Sequence, residues 1–315
     1  MVKKVLIDGH YGAISLNIDS MLNGRDDLEV IALKDKSACS EEQRIALMND
    51  ADIVVLCQSA QTATLTVPLI ENKATKIIDT SNAFRLAPTW AYGLPELSYE
   101  HRRRVMSSRL VAAPAPLAVG ASLILMPLVK AKIMPPYHPL MISSVVGYSS
   151  GGTKMIAMYE DPNRPTALSG ARQYALDQTM MQQKELMHVC GISYRPALSP
   201  MIDDFPNGML VTVPLHLRTL AKRLHSKQIW EYISRAYDRE PLIEVADFDS
   251  AVTDLGGFLD ANGMAGSNKL ELFVFGDNDI CLIAARYDNL GKGGASNVVQ
   301  CMNLMLGADE FKGII

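Results

Sequence analysis

The chain has 315 residues, of which 48% are hydrophobic and 20% are charged, and its formal net charge is −4. This length and composition favour a globular protein of two domains and argue against a disordered scaffold. The acidic balance also argues against a nucleic-acid partner, because binding to a phosphate backbone requires a concentrated basic field.

Cysteine usage and hydropathy indicate the compartment. The five cysteines are scattered without CxxC spacing, which is typical of reduced thiols and of a chain without a disulfide framework or a zinc site. No secretory signal core follows Met1, and no apolar run approaches the ~18 residues that a membrane span requires. We therefore expect a soluble cytoplasmic protein with no metal and no membrane partner.

Short apolar runs alternate with helical patterns in the first part of the chain. The runs predict strands at 5–7, 29–33, 53–57 and 76–79, and the patterns between them predict helices at 14–22, 41–48 and 64–71. Continuous apolar strands of this kind are typical of a parallel sheet covered on both faces. This part of the chain is therefore predicted to be a Rossmann-type doubly wound α/β domain.

A glycine loop with the spacing G-x-x-G-x-x-S lies between the first predicted strand and the first predicted helix. In such folds a dinucleotide's pyrophosphate binds here, against backbone N–H groups and the positive end of the helix. An ordinary strand-to-helix turn is the alternative. The predicted cofactor-binding residues of the loop are Gly9, His10, Tyr11, Gly12, Ala13, Ile14 and Ser15.

The charges after the second predicted strand leave the type of dinucleotide open. An acidic side chain there favours the free ribose hydroxyl of NAD, whereas a basic one accommodates the phosphate of NADP. Lys34, Asp35 and Lys36 offer both signs.

The pattern changes after residues 111–121, an apolar segment of small residues that we interpret as the hinge between two domains. Beyond it the sequence predicts long strands at 139–147, 209–217, 270–275 and 280–287, helices at 179–189 and 227–237, and a closing helix after residue 293. Turn residues at 276–279 predict a hairpin between the last two strands. This order favours a mixed sheet with a few helices on one face.

Several phrases along the whole chain resemble the short-form N-acetyl-γ-glutamyl-phosphate reductases of arginine biosynthesis, which are relatives of aspartate-semialdehyde dehydrogenase. The phrases are IDGHYG at 7–12, IDTSNAFR at 78–85, WAYGLPEL at 90–97, GYSSGGTKMI at 147–156, FPNGM at 205–209 and LGKG at 290–293.

The resemblance implies the domain organisation. Residues 1–115 with 292–315 would form the dinucleotide-binding domain, to which the C-terminal helix returns. Residues 116–291 would form the substrate and oligomerisation domain, an α+β fold with a mixed sheet that resembles the one in glyceraldehyde-phosphate dehydrogenase. A homodimer or homotetramer formed through that sheet is also implied.

The resemblance further implies NADP as the cofactor, with NAD as the alternative, and a small amino-acid-derived substrate. The additional cofactor contacts would be Cys57, Ser81, Lys292 and Gly293, and the substrate contacts would be Asn82, Arg85, Glu96, Tyr148, Ser149, Ser150 and Lys154. Ordinary loop capping is the alternative for each of them, whereas the set together favours an anion-binding pocket.

The catalytic pair of the family is missing at the matching positions. Its members attack the acyl phosphate with a cysteine thiolate, and a histidine acts as the base. The cysteine position falls on Pro116, and the histidine position falls on Gln182, which cannot exchange a proton near neutral pH. The catalytic residues therefore remain unassigned, and the thioester route is predicted to be lost.

Three functions fit these observations. The first is an NAD(P)-dependent oxidoreductase that moves hydride directly to or from an amino-acid-derived substrate. The second is a non-catalytic or non-redox ligand-binding homologue, a pseudoenzyme that partners another enzyme. The third is acyl-phosphate reduction in arginine biosynthesis by a different route.

Overall fold

The computed structural model describes residues 2–9, 12–33, 39–253 and 255–315 and separates the chain into two compact units. Unit 1 consists of Met1–Ala115 with Gly294–Ile315, and unit 2 consists of Pro116–Gly293. Two parts of the predicted cofactor site, His10 with Tyr11 and the charged residues 34–36, lie outside the described residues.

Unit 1 contains a parallel sheet in the order β2-β1-β3-β4-β6-β5. Its strands are β1 (Lys3–Asp8), β2 (Leu28–Leu33), β3 (Ile53–Leu56), β4 (Lys76–Asp79), β5 (Ala91–Tyr92) and β6 (Leu110–Ala112). All residues of β3 are buried, which is typical of an interior strand in a sheet covered on both faces. The predicted Rossmann-type sheet is confirmed.

The helices of this part are α1 (Ala13–Leu22), α2 (Glu41–Asp50), α3 (Ala60–Thr66) and α4 (Tyr99–Ser107). The predicted helix at 64–71 is wrong in position. Ser59 caps α3 by accepting a hydrogen bond from the Thr62 N–H, so the helix begins earlier than its apolar spacing suggests. Pro68 then follows in a 3₁₀ turn, where its ring cannot continue an α-helix.

Unit 2 contains a mixed sheet in the order β11-β12-β13-β10-β7-β9-β8. Its strands are β7 (Met141–Gly147), β8 (Arg172–Gln173), β9 (Ala197–Asp203), β10 (Met209–His216), β11 (Ile243–Val245), β12 (Leu270–Gly276) and β13 (Ile280–Tyr287). The β7–β9 and β11–β12 pairs are parallel and the other neighbours are antiparallel, which confirms the predicted mixed sheet and its β12–β13 hairpin.

Helices pack on one face of this sheet. The helices of unit 2 are α5 (Pro116–Lys130), α6 (Gly152–Glu160), α7 (Met181–Cys190), α8 (Ser226–Tyr237) and α9 (Ser250–Thr253). Helix α5 contacts α7, α8, β10 and β13, so it forms the centre of the covered side. Residues 116–121 of the predicted hinge are therefore the first turns of a core helix. No helix among the described residues is long and apolar enough to cross a membrane.

Two tyrosine hydroxyls complete the backbone hydrogen bonding of α5. Pro127 lies inside the helix and has no N–H to offer the carbonyl of Leu123, four residues earlier. The buried Tyr237 hydroxyl of α8 donates to that carbonyl at 2.6 Å. The Tyr287 hydroxyl of β13 donates to the Pro116 carbonyl at 2.6 Å and accepts from the Gly120 N–H at 3.3 Å. Proline can therefore occupy position 127 without leaving the Leu123 carbonyl buried and unpaired.

Several elements were not predicted from the sequence, and β9 and α6 are the longest strand and a full helix among them. Strand β9 contains Pro200, which lowers strand propensity, yet it pairs with β7 over its whole length. Helix α6 was treated as a loop because of its glycines and serines, so Lys154 lies on a helix rather than in the predicted loop.

The chain ends with α10 (Ser296–Leu306), which follows a π-helical turn at Gly291–Ala295. This closing helix packs in unit 1 against α1, α4 and β4. Nearly all residues of α10 are buried, including most of its polar side chains. Its apolar residues still recur at helical spacing, so the helix could be predicted from the sequence.

We predict that Tyr237→Phe lowers the free energy of unfolding by about 1–3 kcal/mol, because it leaves the Leu123 carbonyl buried without a donor. In a Pro127→Ala background the cost should fall well below that, since residue 127 then has an N–H for the same carbonyl. Urea denaturation of the four proteins of this double-mutant cycle measures the coupling. Tyr194→Phe, at an exposed tyrosine, serves as the control. An equal cost in both backgrounds would contradict this account of the hydrogen bond.

Candidate functional site

A cavity of about 460 Å³ opens in unit 1 at the carboxyl ends of β1 and β3. The strand order changes direction at this point, because β1 pairs with β2 on one side and with β3 on the other. Ligands of open α/β sheets bind at such positions. The cavity is lined by residues that follow both strands and by residues of α2, including Asp8, Gly9, Cys57, Gln58, Glu41 and Arg44.

The glycine loop passes close to β3. Gly9 has a φ of +94°, and a Cβ at this position would lie 2.4 Å from the Cys57 carbonyl oxygen, so only glycine fits. Gly12 begins α1, and a Cβ there would meet no atom within 4 Å. The loop therefore combines a required close approach with open space at the helix N-terminus, which fits a bound pyrophosphate.

Ser15 is turned away from the cavity. Its side chain is buried, and its hydroxyl donates to the Gly12 carbonyl at 2.9 Å and accepts from the Gly12 N–H at 3.2 Å. This hydroxyl closes the start of α1, where Ala13 and Ile14 form the first turn. The Ser15 hydroxyl therefore has a local capping role, and the cofactor contact predicted for this residue stays a prediction.

An ion pair that the sequence did not reveal forms one wall of the cavity. Asp8 is 4% exposed and accepts hydrogen bonds from Arg44 at 2.6 Å and from Gln58 at 2.5 Å. Thr66 links the two donors by accepting from Arg44 and donating to Gln58. The guanidinium neutralises the carboxylate at the end of β1. The periodicity of α2 predicted a helix but not that Arg44 reaches this strand end.

Ser81 and Arg85 make local bonds after β4. The Ser81 hydroxyl donates to the Asp79 carboxylate at 2.7 Å, and burial raises the pKa of Asp79. Arg85 donates to the Ala113 carbonyl at 2.8 Å and to the Thr80 carbonyl at 3.2 Å. These predicted contact residues therefore stabilise the loop after β4, and Arg85 holds the segment that follows β6.

Glu96 and Asn82, both predicted to bind substrate, have different environments. Glu96 is 4% exposed and accepts a hydrogen bond from Gln300 of α10 at 2.8 Å. Asn82 is exposed on the loop after β4. The structure gives Glu96 a role in packing α10 within unit 1.

Three of the family-like phrases meet in unit 2. The buried Asn289 side chain donates to the Ser149 hydroxyl at 2.9 Å and accepts from the Gly208 N–H at 2.9 Å. Backbone bonds join the same loops, since the Tyr148 N–H donates to the Phe205 carbonyl at 2.9 Å. Asn289 therefore fixes the serine-glycine loop, the FPNG loop and the segment before α10 against one another.

The predicted substrate residues of the serine-glycine loop have different environments. Tyr148 stacks on Tyr159 at 4.8 Å, and Ser149 is buried against Asn289. Ser150 is exposed and lines a second cavity. Lys154 is exposed on α6 and does not line that cavity. Of the four, Ser150 is the one in contact with a cavity.

Lys292 and Gly293, predicted to contact cofactor, lie in the π-helical turn. The Lys292 side chain is fully buried. The Gly293 N–H donates to the Asp288 carbonyl at 3.0 Å, and a Cβ on Gly293 would lie 3.1 Å from the Tyr287 ring. The Gly293 N–H is therefore used within the turn rather than presented to a ligand.

The two positions at which the resemblance predicts the family's catalytic pair both lie in unit 2. Pro116 is the first residue of α5, where proline is favoured because it has no N–H to leave unpaired. Gln182 is half-buried in the first turn of α7, which packs on α5. Neither side chain can provide a nucleophile or a base.

Cys57, Cys190 and Cys281 are unsuited to act as a nucleophile. Burial raises the pKa of Cys57, Cys190 and Cys281 to about 12 each. A thiol with such a pKa is almost entirely protonated at neutral pH, whereas the thiolate is the reactive form. Within the described part of the chain, no group of three or more His, Cys, Asp or Glu residues is placed to hold a metal ion.

Two family models match the chain in the order of its domains. Residues 25–105 match the NAD binding domain of semialdehyde dehydrogenase, and residues 117–289, more than half of the chain, match its dimerisation domain. The chain thus has both domains of the semialdehyde dehydrogenases, a class of NAD(P) oxidoreductases that use a nicotinamide cofactor.

Curated relatives identify the particular family. The chain is 34% identical to N-acetyl-gamma-glutamyl-phosphate reductase 2 of Nostoc sp., over 99% of both chains. It is 36% identical to the N-acetyl-gamma-glutamyl-phosphate reductase of Brucella anthropi, over 98% of this chain and 99% of that one. The chain belongs to the N-acetyl-γ-glutamyl-phosphate reductase family, which confirms the resemblance seen in the sequence.

Solved structures support the fold. Aspartate semialdehyde dehydrogenase II of Vibrio cholerae, complexed with ASA, has a TM-score of 0.74 at 14% identity, over 98% of this chain and 99% of that one. A probable aspartate-semialdehyde dehydrogenase of Pseudomonas aeruginosa has a TM-score of 0.70 at 15% identity, with 97% and 99% coverage.

We predict that Gly9→Ala destabilises unit 1 by about 1–3 kcal/mol, because the added Cβ would collide with the Cys57 carbonyl at a positive φ. Gly12→Ala is the matched control, since its Cβ would enter open space and its φ is −101°. Thermal unfolding of the two variants measures the difference. Equal melting temperatures would show that the loop does not depend on this close approach.

We also predict that iodoacetamide at pH 8 leaves Cys57, Cys190 and Cys281 unmodified in the folded protein, because burial holds each pKa near 12. Mass spectrometry after a timed reaction checks this, with the guanidinium-unfolded protein as the control. Unfolded thiols ionise near pH 9, so stability should fall as the pH rises from about 9 towards 12. Rapid modification of one of these thiols, with protection by substrate, would reveal a catalytic cysteine.

Proposed function

We propose that the protein is a nicotinamide-dependent oxidoreductase that exchanges hydride directly with a carbonyl or imine carbon of a small amino-acid-derived substrate, without a cysteine thioester. The single observation that carries the proposal is the proline at the nucleophile position, built into the first turn of a core helix. When bound, the cofactor would supply or accept the hydride at its nicotinamide ring.

The cavity of unit 1 supports cofactor binding. Gly9 and Gly12 would allow the pyrophosphate to approach the backbone at the start of α1. Gly9 has no room for a Cβ, whereas a Cβ on Gly12 would enter open space. Cys57 lies beside this approach, at the end of β3. We propose NADP as the cofactor, as the family resemblance implies, with NAD as the alternative.

The first turn of α5 supports the loss of the thioester route. The Pro116 carbonyl is held by Tyr287, and a Cβ added at Gly120 would lie 2.7 Å from the Tyr287 ring. This turn is a packed structural feature with no reactive side chain. Gln182 can donate and accept hydrogen bonds and so could orient a carbonyl oxygen, but it cannot act as the thiol's base.

Self-association through the sheet of unit 2 is part of the proposal. Met141, Ile280 and Leu282 are exposed and alternate along β7 and β13 with the buried Cys281 and Ile283. The apolar side chains therefore lie on the face opposite the helices. This face supports a homodimer or homotetramer, consistent with the dimerisation domain that the family model describes.

Titration of the purified protein with NADPH and NADH, followed by nicotinamide fluorescence, tests cofactor binding. We expect NADPH to bind in the micromolar range, because the glycine loop and the cavity remain open. Failure of both nucleotides to bind would overturn the oxidoreductase and would favour the non-catalytic ligand-binding homologue.

Oxidation of N-acetylglutamate semialdehyde tests the route. We expect no phosphate-dependent reduction of NADP by the wild-type protein, because an acyl-enzyme cannot form at Pro116. The Pro116→Cys/Gln182→His double variant is the comparison that reintroduces the family's pair. Phosphate-dependent turnover by the wild type would contradict direct hydride transfer and would support acyl-phosphate reduction.

A further inference from the structure

The second cavity lies within unit 2, at the carboxyl ends of the parallel strands β7 and β9, and has a volume of about 390 Å³. Val146, Met155 and Ile202 give it an apolar floor. The polar side chains at its wall include Ser150, Arg172 and Tyr174. The floor of this cavity is suited to the hydrocarbon part of a ligand, and its wall is suited to a single polar group.

Arg172 is the charged residue of the cavity wall. Its Nε and Nη2 atoms both donate to the Tyr159 hydroxyl, at 3.3 and 2.9 Å, and its guanidinium lies 5.3 Å from the Tyr159 ring centre. No carboxylate among the described residues lies within ion-pair distance of it. Its Nη1 group makes no hydrogen bond to the described protein, so the cation has donors available for an anion.

A neighbouring arginine shows the surroundings of a cation whose role is structural. Arg164 also contacts Tyr159, but it forms a two-pronged ion pair with Asp204 at 2.7 and 2.5 Å. The two arginines therefore share one tyrosine, and only Arg164 has its charge compensated. A half-buried cation next to a cavity is more favourable when an anion pairs with it.

Tyr159 and Tyr148 hold Arg172 in place. Tyr159 is 2% exposed and stacks on Tyr148 at 4.8 Å, so the guanidinium lies on a fixed aromatic surface. A cation positioned in this way loses little side-chain freedom when a ligand binds. The site is therefore built before the ligand arrives.

The remaining polar groups of the cavity are neutral. The Tyr174 hydroxyl makes no hydrogen bond to a described residue, and burial raises the pKa of Tyr174, so it stays protonated as a donor. Ser150 adds an exposed hydroxyl. The cavity can thus satisfy one carboxylate, whereas a second charge placed against Val146 and Ile202 would be buried without a partner.

We propose that this cavity binds a small monocarboxylate whose remaining part is uncharged and mainly apolar, with Arg172 pairing with the carboxylate. Its assignment as the substrate site rests on the proposed function. The chemistry also fits the absence of a thioester route, because an acyl phosphate brings a second anionic group that this cavity does not compensate.

Isothermal titration calorimetry with three matched probes tests the proposal in the absence of nucleotide. N-acetyl-L-leucine has one carboxylate and an apolar side chain, N-acetyl-L-leucinamide lacks the charge, and N-acetyl-L-glutamate has two charges. We expect the first to bind and the other two to bind at least about tenfold more weakly. Equal binding of the amide, or tighter binding of N-acetyl-L-glutamate, would overturn the proposal.

Variants locate the bound probe. Arg172→Gln should weaken N-acetyl-L-leucine at least about tenfold, and Arg172→Lys should weaken it less, because the charge is kept without the fixed guanidinium. Arg195→Gln removes a charge from an exposed arginine of the same unit and should change nothing. Ser150→Trp, which fills the cavity and keeps the Arg172 side chain, should also abolish binding and remains informative if Arg172→Gln does not fold. Unchanged affinity in Arg172→Gln or Ser150→Trp would overturn the site.

The results separate the two proposals. Carboxylate binding that depends on Arg172, together with no nucleotide binding, would sustain the cavity assignment and overturn the oxidoreductase. Nucleotide binding without any carboxylate binding would overturn the cavity assignment alone.

Discussion

The hydrogen bonding of α5 is the constraint on which unit 2 depends. This helix contains Pro127, and a buried helix cannot leave the affected Leu123 carbonyl unpaired without a cost of about 1–3 kcal/mol. Tyr237 donates to this carbonyl from another helix, and Tyr287 donates to the Pro116 carbonyl from a strand. Because both tyrosines are themselves core residues, helix, sheet and neighbouring helix must be packed together for any of them to be satisfied.

This constraint bears directly on function. The family resemblance predicts a reactive cysteine at the start of this helix, where Pro116 and Tyr287 instead form a packed junction. The proposed loss of the nucleophile would therefore be accompanied by a structural use of the position. A direct hydride transfer requires a placed cofactor and a placed substrate, and it does not require a side-chain nucleophile.

Charge compensation separates arginines that form structural ion pairs from an arginine that is available to a ligand. Arg44 is paired with Asp8 in unit 1, and Arg164 is paired with Asp204 in unit 2. Arg172 has the same side chain and shares Tyr159 with Arg164, yet no described carboxylate pairs with it. The difference between the two arginines arises from what lies opposite each guanidinium, and it separates a structural ion pair from a candidate ligand contact.

The sequence by itself determined the alternation of strands and helices in unit 1, the mixed sheet with its β12–β13 hairpin, and the family. These are local or aligned features, readable from periodicity and from short phrases. The hydrophobic periodicity misplaced α3 and did not predict β9 and α6, because helix caps, glycines and prolines within a few residues outweighed it. The sequence also predicted ligand contacts at Ser15 and Glu96, whose side-chain oxygens form hydrogen bonds within unit 1.

Only the tertiary structure decided which polar groups form hydrogen bonds or ion pairs within the protein. Tyr287 and Pro116 are 171 positions apart, and Asp8 and Arg44 are 36 apart, so their pairing depends on packing that no local spacing records.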